Sequence, residues 1–228
     1  GSASGGSGVD GSAYATAYHA PVLLAETLDL LVTDPAGLYV DGTLGGGGHT
    51  AALLDQLSQK GRVIAIDRDA DAIAEVEHRL PEAIGSGRLR ILRGSFADLE
   101  DLLVEAYASP ITGLLMDLGV SSHQFDQKER GFSYQGSGAI DMRMDQRARL
   151  SASDLVNTWS EADLKRLIRS YGEEPAAGRI ARRIIRERPL DTTTALADVV
   201  RAAGKQPAHS IRWPHCGHQL SLTRRSAC

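Results

Sequence analysis

Long apolar runs are missing from this 228-residue chain. No stretch is long enough to span a bilayer and no charged-then-apolar leader opens it, so neither membrane nor secretion is indicated and a cytoplasmic location is expected. Cysteine is nearly absent: the two present, Cys216 and Cys228, both lie near the C-terminal end. That excludes a disulfide framework for the body and fits a reducing compartment. A strong excess of either charge is also lacking. With a formal net charge of −4, the chain is not of the basic type that holds nucleic acid by charge alone, and such a partner would have to be met by a local patch. What remains is enough chain for a sizeable core, in one large domain or a domain with an inserted subdomain.

Residues 1–17 are rich in Gly, Ser and Ala, lack a starting Met and have almost nothing to bury, so they read as a disordered tail or linker. Tyr18 to Leu24 is an extended lead-in around Pro21, and Glu26 to Leu31 offers one apolar helical face. From Leu38 a regular rhythm sets in. Apolar runs at Leu38 to Val40, Arg62 to Ile66, Arg88 to Leu92 and Ile111 to Met116 read as buried strands, separated by helical patterns at His49 to Gln59, Asp69 to Leu80 and Ala97 to Tyr107. Strands alternating with helices of this length predict βαβ units and an α/β fold with a parallel sheet covered on both faces.

The chain is organised around Leu38 to Thr50, where a strand ends in an acid and four glycines, Gly45 to Gly48, lead into a helix. Such a turn holds a nucleotide-like cofactor at the carboxyl edge of a parallel sheet. A dinucleotide fold would show G-x-G-x-x-G with its helix N-terminus facing a pyrophosphate; here Thr50 or Ala51 takes the place of the last glycine. The pattern suits a ligand that approaches the backbone closely but brings no pyrophosphate, such as S-adenosylmethionine. Asp67, ending the second strand, is placed to accept hydrogen bonds from ribose hydroxyls, with Asp69 as the cap of the next helix. Phe96, after the third strand, either lies against adenine or belongs to the core. Asp117, ending the fourth, either meets the acceptor of a transferred group or only forms a turn.

Beyond Asp117 the rhythm stops. Leu118 to Asp145 is polar and loop-like, and Ser151 to Ala203 reads as a run of short helices, one opened by a capping box at Ser160 to Asp163 and ended by Gly172. Arg179, Arg182, Arg183, Arg186 and Arg188 share a segment with Ile180, Ile184 and Ile185, which is either an amphipathic helix with a solvated basic face or a phosphate-contacting surface. The end of the chain, residues 206–228, has no period. Its His209, His215, Cys216, His218 and Cys228 match no standard spacing of zinc ligands, so no metal site is expected.

Six motifs occur in one order: His19 to Glu26; Tyr39 to Thr43 with Gly46 to His49; Ala65 to Asp69; Asp117 to Ser122; Arg130 to Ser133; and Asp141 to Asp145, with Tyr171 to Glu174 as a seventh. Together they closely resemble the bacterial small-subunit ribosomal RNA cytosine-N4 methyltransferases over about His19 to Ala203. The resemblance implies a class I, Rossmann-like S-adenosylmethionine methyltransferase sheet in residues 18–122, of which only the first half is encoded. It further implies a loop and small helical RNA-substrate domain in residues 123–205, and as reaction the methylation of the exocyclic amine of a cytosine. By position, the cofactor contacts it implies are Gly47, Gly48, His49, Asp67, Phe96, Asp117 and Gln124, with Asp117 also the catalytic candidate.

Two loop positions depart from that pattern. His123 stands where proline is usual, and Ser137-Gly138-Ala139-Ile140 replaces an acidic, Gly-Pro-Leu lead into Asp141. Residues 206–228 lack the family's residues altogether, as a shifted frame or truncation would leave them. The Ile111 to Met116 strand is then expected to lie at a bare sheet edge, which invites a homodimer. Two alternatives stay open: a non-catalytic S-adenosylmethionine- or RNA-binding remnant and, less compatible with the glycine spacing, a nicotinamide-dependent oxidoreductase.

Overall fold

A computed structural model of the chain describes residues 14, 23–108, 110–119, 124 and 126–203. The lead-in around Pro21, the first seventeen residues apart from Tyr14, the residues Ser121 to His123 and the segment 206–228 with its histidines and cysteines lie outside these. The chain divides into two compact units, residues 1–123 and 124–228.

In the first unit the elements are α1 (Leu24–Leu31), β1 (Leu38–Asp41), α2 (Gly48–Gln56), β2 (Arg62–Asp67), α3 (Ala70–Arg79), α4 (Pro81–Gly85), β3 (Leu89–Arg93), a 3-10 turn at Phe96–Asp98, α5 (Leu99–Glu105) and β4 (Gly113–Leu115). The four strands form one parallel sheet in the order β3-β2-β1-β4. Tyr39 sits opposite Val63 and Gly113, and Ala65 opposite Ile91. Period-two alternation sends Tyr39, Val63, Ala65 and Leu89 into a core under α1 to α4, and Val40, Ile64 and Ile66 into a second core against α5. The fold is thus α/β and Rossmann-like, as expected. Strand β4 pairs with β1 alone among the described residues and is the shortest, three residues where the apolar run suggested six.

Local chemistry accounts for the boundaries. Asp69 caps α3 by accepting from Asp71 N–H at 3.2 Å, as read from the sequence. Helix α4 was not expected; Pro81 at its first position supplies the fixed φ that starts a helix immediately after α3 ends. The carbonyls at the end of α2 have no basic residue of their own helix, and Arg88 serves them instead, its Nη2 donating to Leu54 O at 2.7 Å and Leu57 O at 3.1 Å.

The second unit is helical over α6 (Ala152–Thr158), α7 (Glu161–Gly172), α8 (Ala177–Glu187) and α9 (Thr193–Ala203). Its core joins Val156, Leu164, Ile168, Ile180, Ile184, Leu196 and Val200. A full capping box opens α6, with Ser151 and Asp154 each holding the other's backbone N–H. Ser160 caps α7 through Asp163 N–H at 3.2 Å. Gly172 closes that helix only as its last residue, and Glu173, at φ 51°, takes the left-handed position. The departing loop Ser137 to Ile140 is packed: Ile140 is 1% exposed, Ala139 bridges Thr192, and Gly138 O accepts from Thr193 N–H at 2.9 Å.

Candidate active site at the carboxyl ends of the strands

Every parallel strand of the first unit ends on the same edge, and there the chain turns carry Asp41 to Gly47, Asp67, Phe96 and Asp117. Gly42 marks how closely these ends approach. Its N–H donates to Leu115 O at 2.9 Å, and a Cβ on it would stand 3.1 Å from Met116 Cγ and 3.6 Å from Phe96 Cβ. The ends of β1, β3 and β4 therefore share one small region that a side chain at Gly42 would enter.

The glycine loop is fixed by what surrounds it. Leu44 N–H donates to Ile66 O at 3.0 Å, and Gly47 N–H to Leu44 O at 2.8 Å. Gly47 has φ 74°, and a Cβ there would lie 2.7 Å from Val76 Cγ2 on α3. Its lack of a side chain thus serves α2–α3 packing and a left-handed turn, where the sequence alone suggested approach by a ligand. Arg79, also on α3, donates from Nη1 to Gly46 O.

Asp67 is deeply placed and already occupied in part. Its Oδ2 accepts from Gly45 N–H at 2.8 Å and its Oδ1 from Asp69 N–H at 2.9 Å, so the carboxylate pins the loop. Burial pushes its carboxyl above the usual range, against the pull of these N–H groups. With the Arg68 N–H also contributing, three backbone donors face a carboxylate that has about four acceptor sites, which leaves room for a ligand hydroxyl. Phe96 starts the 3-10 turn and is half-buried, with the Arg68 guanidinium 5.7 Å from its ring centroid. That contact keeps one face of the ring in cationic rather than core surroundings.

Asp117 is exposed, and its Oδ2 lies 3.9 Å from Nδ1 of the largely buried His49 on α2. Asp41, by contrast, is 1% exposed and accepts from Thr50 Oγ1 at 2.7 Å and Thr43 N–H at 3.0 Å. Burial raises its carboxyl as well, with those bonds and the nearby His49 opposing. The first turn of α2, starting at Gly48, has no side-chain cap and no acidic residue, so its N–H groups are available to a ligand carboxylate.

Six of the seven expected cofactor contacts are therefore in one unit: Gly47, Gly48 and His49 at the start of α2, and Asp67, Phe96 and Asp117 at three strand ends. Gln124 belongs to the second unit, where it is 7% exposed. Sequence reasoning passed over Thr43, Thr50, Arg68 and Arg79. The Asp-Gly-Thr order offered a signal for Thr43; nothing local marks Arg79, which meets Gly46 only through the packing of α3 on the loop.

The chain matches the MraW methylase family over residues 16–215. The chain belongs to that family. Three curated relatives are each called ribosomal RNA small subunit methyltransferase H. That of Lachnospira eligens is 46% identical over 188 residues, 81% of this chain and 59% of that protein. That of Symbiobacterium thermophilum is 44% identical over 189 residues, covering 82% and 59%. That of Caldicellulosiruptor bescii is 45% identical over 192 residues, covering 83% and 62%. The chain thus spans about 60% of the length of the curated relatives it matches. The match to the MraW methylase family runs twelve residues past Ala203, where the resemblance was expected to end.

In this MraW-family chain the arginine-bearing segment divides in two. Arg179, Arg182, Arg183 and Arg186 ride on α8, with Arg182 and Arg186 largely exposed at 68% and 67% of the side chain. Arg188 turns inward instead, donating from Nε to Val156 O and from Nη2 to Trp159 O, both at 2.6 Å. It caps the end of α6, and desolvation lowers its pKa, so it does not join a phosphate-contacting face. Among the described residues, no helix is long and apolar enough to cross a membrane.

Proposed function

We propose that this chain binds S-adenosylmethionine at the strand ends of its first unit and methylates the exocyclic N4 amine of a cytosine in small-subunit ribosomal RNA, in the cytoplasm. The observation that carries the reading is the acidic, glycine-lined edge: Asp41, Asp67 and Asp117 surround a loop whose helix presents uncapped N–H groups. Seven Lys and Arg face sixteen Asp and Glu over residues 23–119. An anionic pyrophosphate is repelled by such a field, whereas a cofactor carrying a sulfonium and an ammonium is attracted. The α2 N-terminus suits the carboxylate of its amino-acid end, Asp67 its ribose and Phe96 its adenine.

Bound there, S-adenosylmethionine supplies a methyl carbon to the amine nitrogen, the C–S bond breaking with its electron pair left on sulfur. The protein's part is to orient that nitrogen and take one of its protons. Asp117, exposed at the end of β4, is the acceptor, with His49 Nδ1 3.9 Å from its Oδ2. The target base must leave its stack to reach this edge. The RNA reading draws on the relatives' names and on the basic segment 165–188, where eight Lys and Arg outnumber three Asp and Glu.

The test is transfer of a tritiated methyl group to purified small ribosomal subunits, run beside calorimetry with S-adenosylmethionine and NAD. Incorporation that disappears in Asp117→Asn supports the proposal. Cofactor binding with zero incorporation favours the non-catalytic binding alternative. Binding of NAD with no binding of S-adenosylmethionine overturns both.

A further inference from the structure

The β1–β4 ladder ends one step short of the candidate site. Its last rung sets Asp41 opposite Leu115, and Gly42 N–H still reaches Leu115 O at 2.9 Å. Two residues on, the Asp117 N–H donates not to a carbonyl of β1 but to the side-chain Oγ1 of Thr43, at 2.7 Å. That hydroxyl in turn lies 3.4 Å from Oδ1 of Asp41 and donates to it. Asp41 is held from its other side by Thr50, itself fully buried on α2. One line of hydrogen bonds therefore runs from α2 through Asp41 and Thr43 to the backbone of Asp117.

We propose that Thr43 is a positioning residue: its hydroxyl, anchored on Asp41, adds a side-chain rung beyond the end of the sheet and sets where the Asp117 carboxylate stands beside the glycine loop. This rests on the reading of Asp117 as the group that meets the substrate amine. The surroundings favour a positioning role over a stabilising one. Met116 and Leu118 are 45% and 58% exposed and Asp117 is exposed too, so the freed N–H would be taken up by water at little cost to the fold. What water cannot supply is a fixed direction. Removing the hydroxyl unties Asp117 from the turn that opens the cofactor loop, and a small displacement of an acceptor lowers the rate steeply.

Thr43→Val removes the hydroxyl at nearly constant volume, and Thr43→Ser restores it. Both are made in the full chain and read three ways: amide hydrogen exchange at Asp117 by NMR, calorimetry with S-adenosylmethionine, and methyl transfer. In Thr43→Val the Asp117 amide should exchange about tenfold faster or more, as for a donor released to water. Its cofactor affinity should stay within about threefold, and kcat should fall about tenfold with little change in KM for the cofactor, the pattern expected when an interaction made only in the transition state is removed. Thr43→Ser should recover all three. Unchanged exchange at Asp117 in Thr43→Val overturns the proposal, as does a loss of turnover shared by the serine variant. If the wild-type chain transfers no methyl group, the functional reading fails by itself, while the exchange measurement still decides whether Thr43 holds Asp117.

Discussion

Replacing Gly47 by alanine should destabilise the first unit, and the structure says by how much and why. At φ 74° an alanine pays roughly 1–2 kcal/mol for the left-handed backbone. Its Cβ would also come within 2.7 Å of Val76 Cγ2 and 3.3 Å of Val76 Cγ1, on a valine that is fully buried against the sheet. Overpacking of that kind costs about 1–3 kcal/mol, so the total is about 2–5 kcal/mol. Hydrogen exchange of the β1 and β2 amides is the suitable assay, because both tryptophans, Trp159 and Trp213, lie outside this unit. The companion variant is Val76→Ala. Alone it should cost about 2 kcal/mol through the cavity it opens. Combined with Gly47→Ala it should relieve the clash and leave the backbone strain, so that the double variant is about 1–3 kcal/mol more stable than the sum of the singles. A Gly47→Ala protein with wild-type exchange but no S-adenosylmethionine binding would refute this reasoning, since it would mean that the glycine serves the ligand and not the helix packing.

Two further expectations follow from the second unit. Arg188→Ala should lower its stability by about 1.5–3 kcal/mol by orphaning the Val156 and Trp159 carbonyls, measured by urea denaturation through Trp159 fluorescence. The exposed pair Arg182→Ala and Arg186→Ala should leave stability within about 0.5 kcal/mol, yet lower the salt slope of RNA binding by about 0.7 for each phosphate that is no longer neutralised; an unchanged slope would remove α8 from the RNA surface. The third concerns pH. Burial tends to raise the Asp141 carboxyl, but the hydrogen bonds and charge of Arg143, with the charge of Arg130, outweigh it and hold the group below the usual range. Its folded pKa is depressed, so its stabilisation is present above the ordinary carboxylate value and is lost as pH falls through the folded value. Wild type should therefore exceed Asp141→Asn in stability at neutral pH, with the gap closing in acid; a gap constant with pH would contradict the pairing.

Much of the fold could be read without coordinates because it depends on local order. The apolar runs ending in Val40, Ile66 and Leu92 place strands to within a residue or two, since period-two burial on both faces leaves few other solutions. Asp69 and Ser160 announced their helices because a cap needs only its own next turn. Asp67 and Asp117 stood out because a parallel sheet brings all its carboxyl ends to one edge, whatever lies between them in sequence. The helical character of residues 152–203 was legible for the same reason, from amphipathic spacing and caps, though not the number of helices.

What required tertiary structure were relations between residues far apart in the chain. Gly47 needed the position of Val76 before its missing side chain could be assigned to helix packing. Arg188 looked like its neighbours on α8 until the bend after Glu187 turned it onto the end of α6. Asp67 read as a ribose acceptor, and only the folded loop revealed that it first holds Gly45. Thr43 was one polar residue among several in a turn; 74 residues separate it from Asp117, and no local pattern predicts that its hydroxyl takes over where the β1–β4 ladder stops. Sequence by itself determined which chemistry stands at the sheet edge, because residue type and strand rhythm are local properties. The tertiary structure alone decided which of those groups support one another, because hydrogen bonds and packing depend on distances that the chain order does not contain.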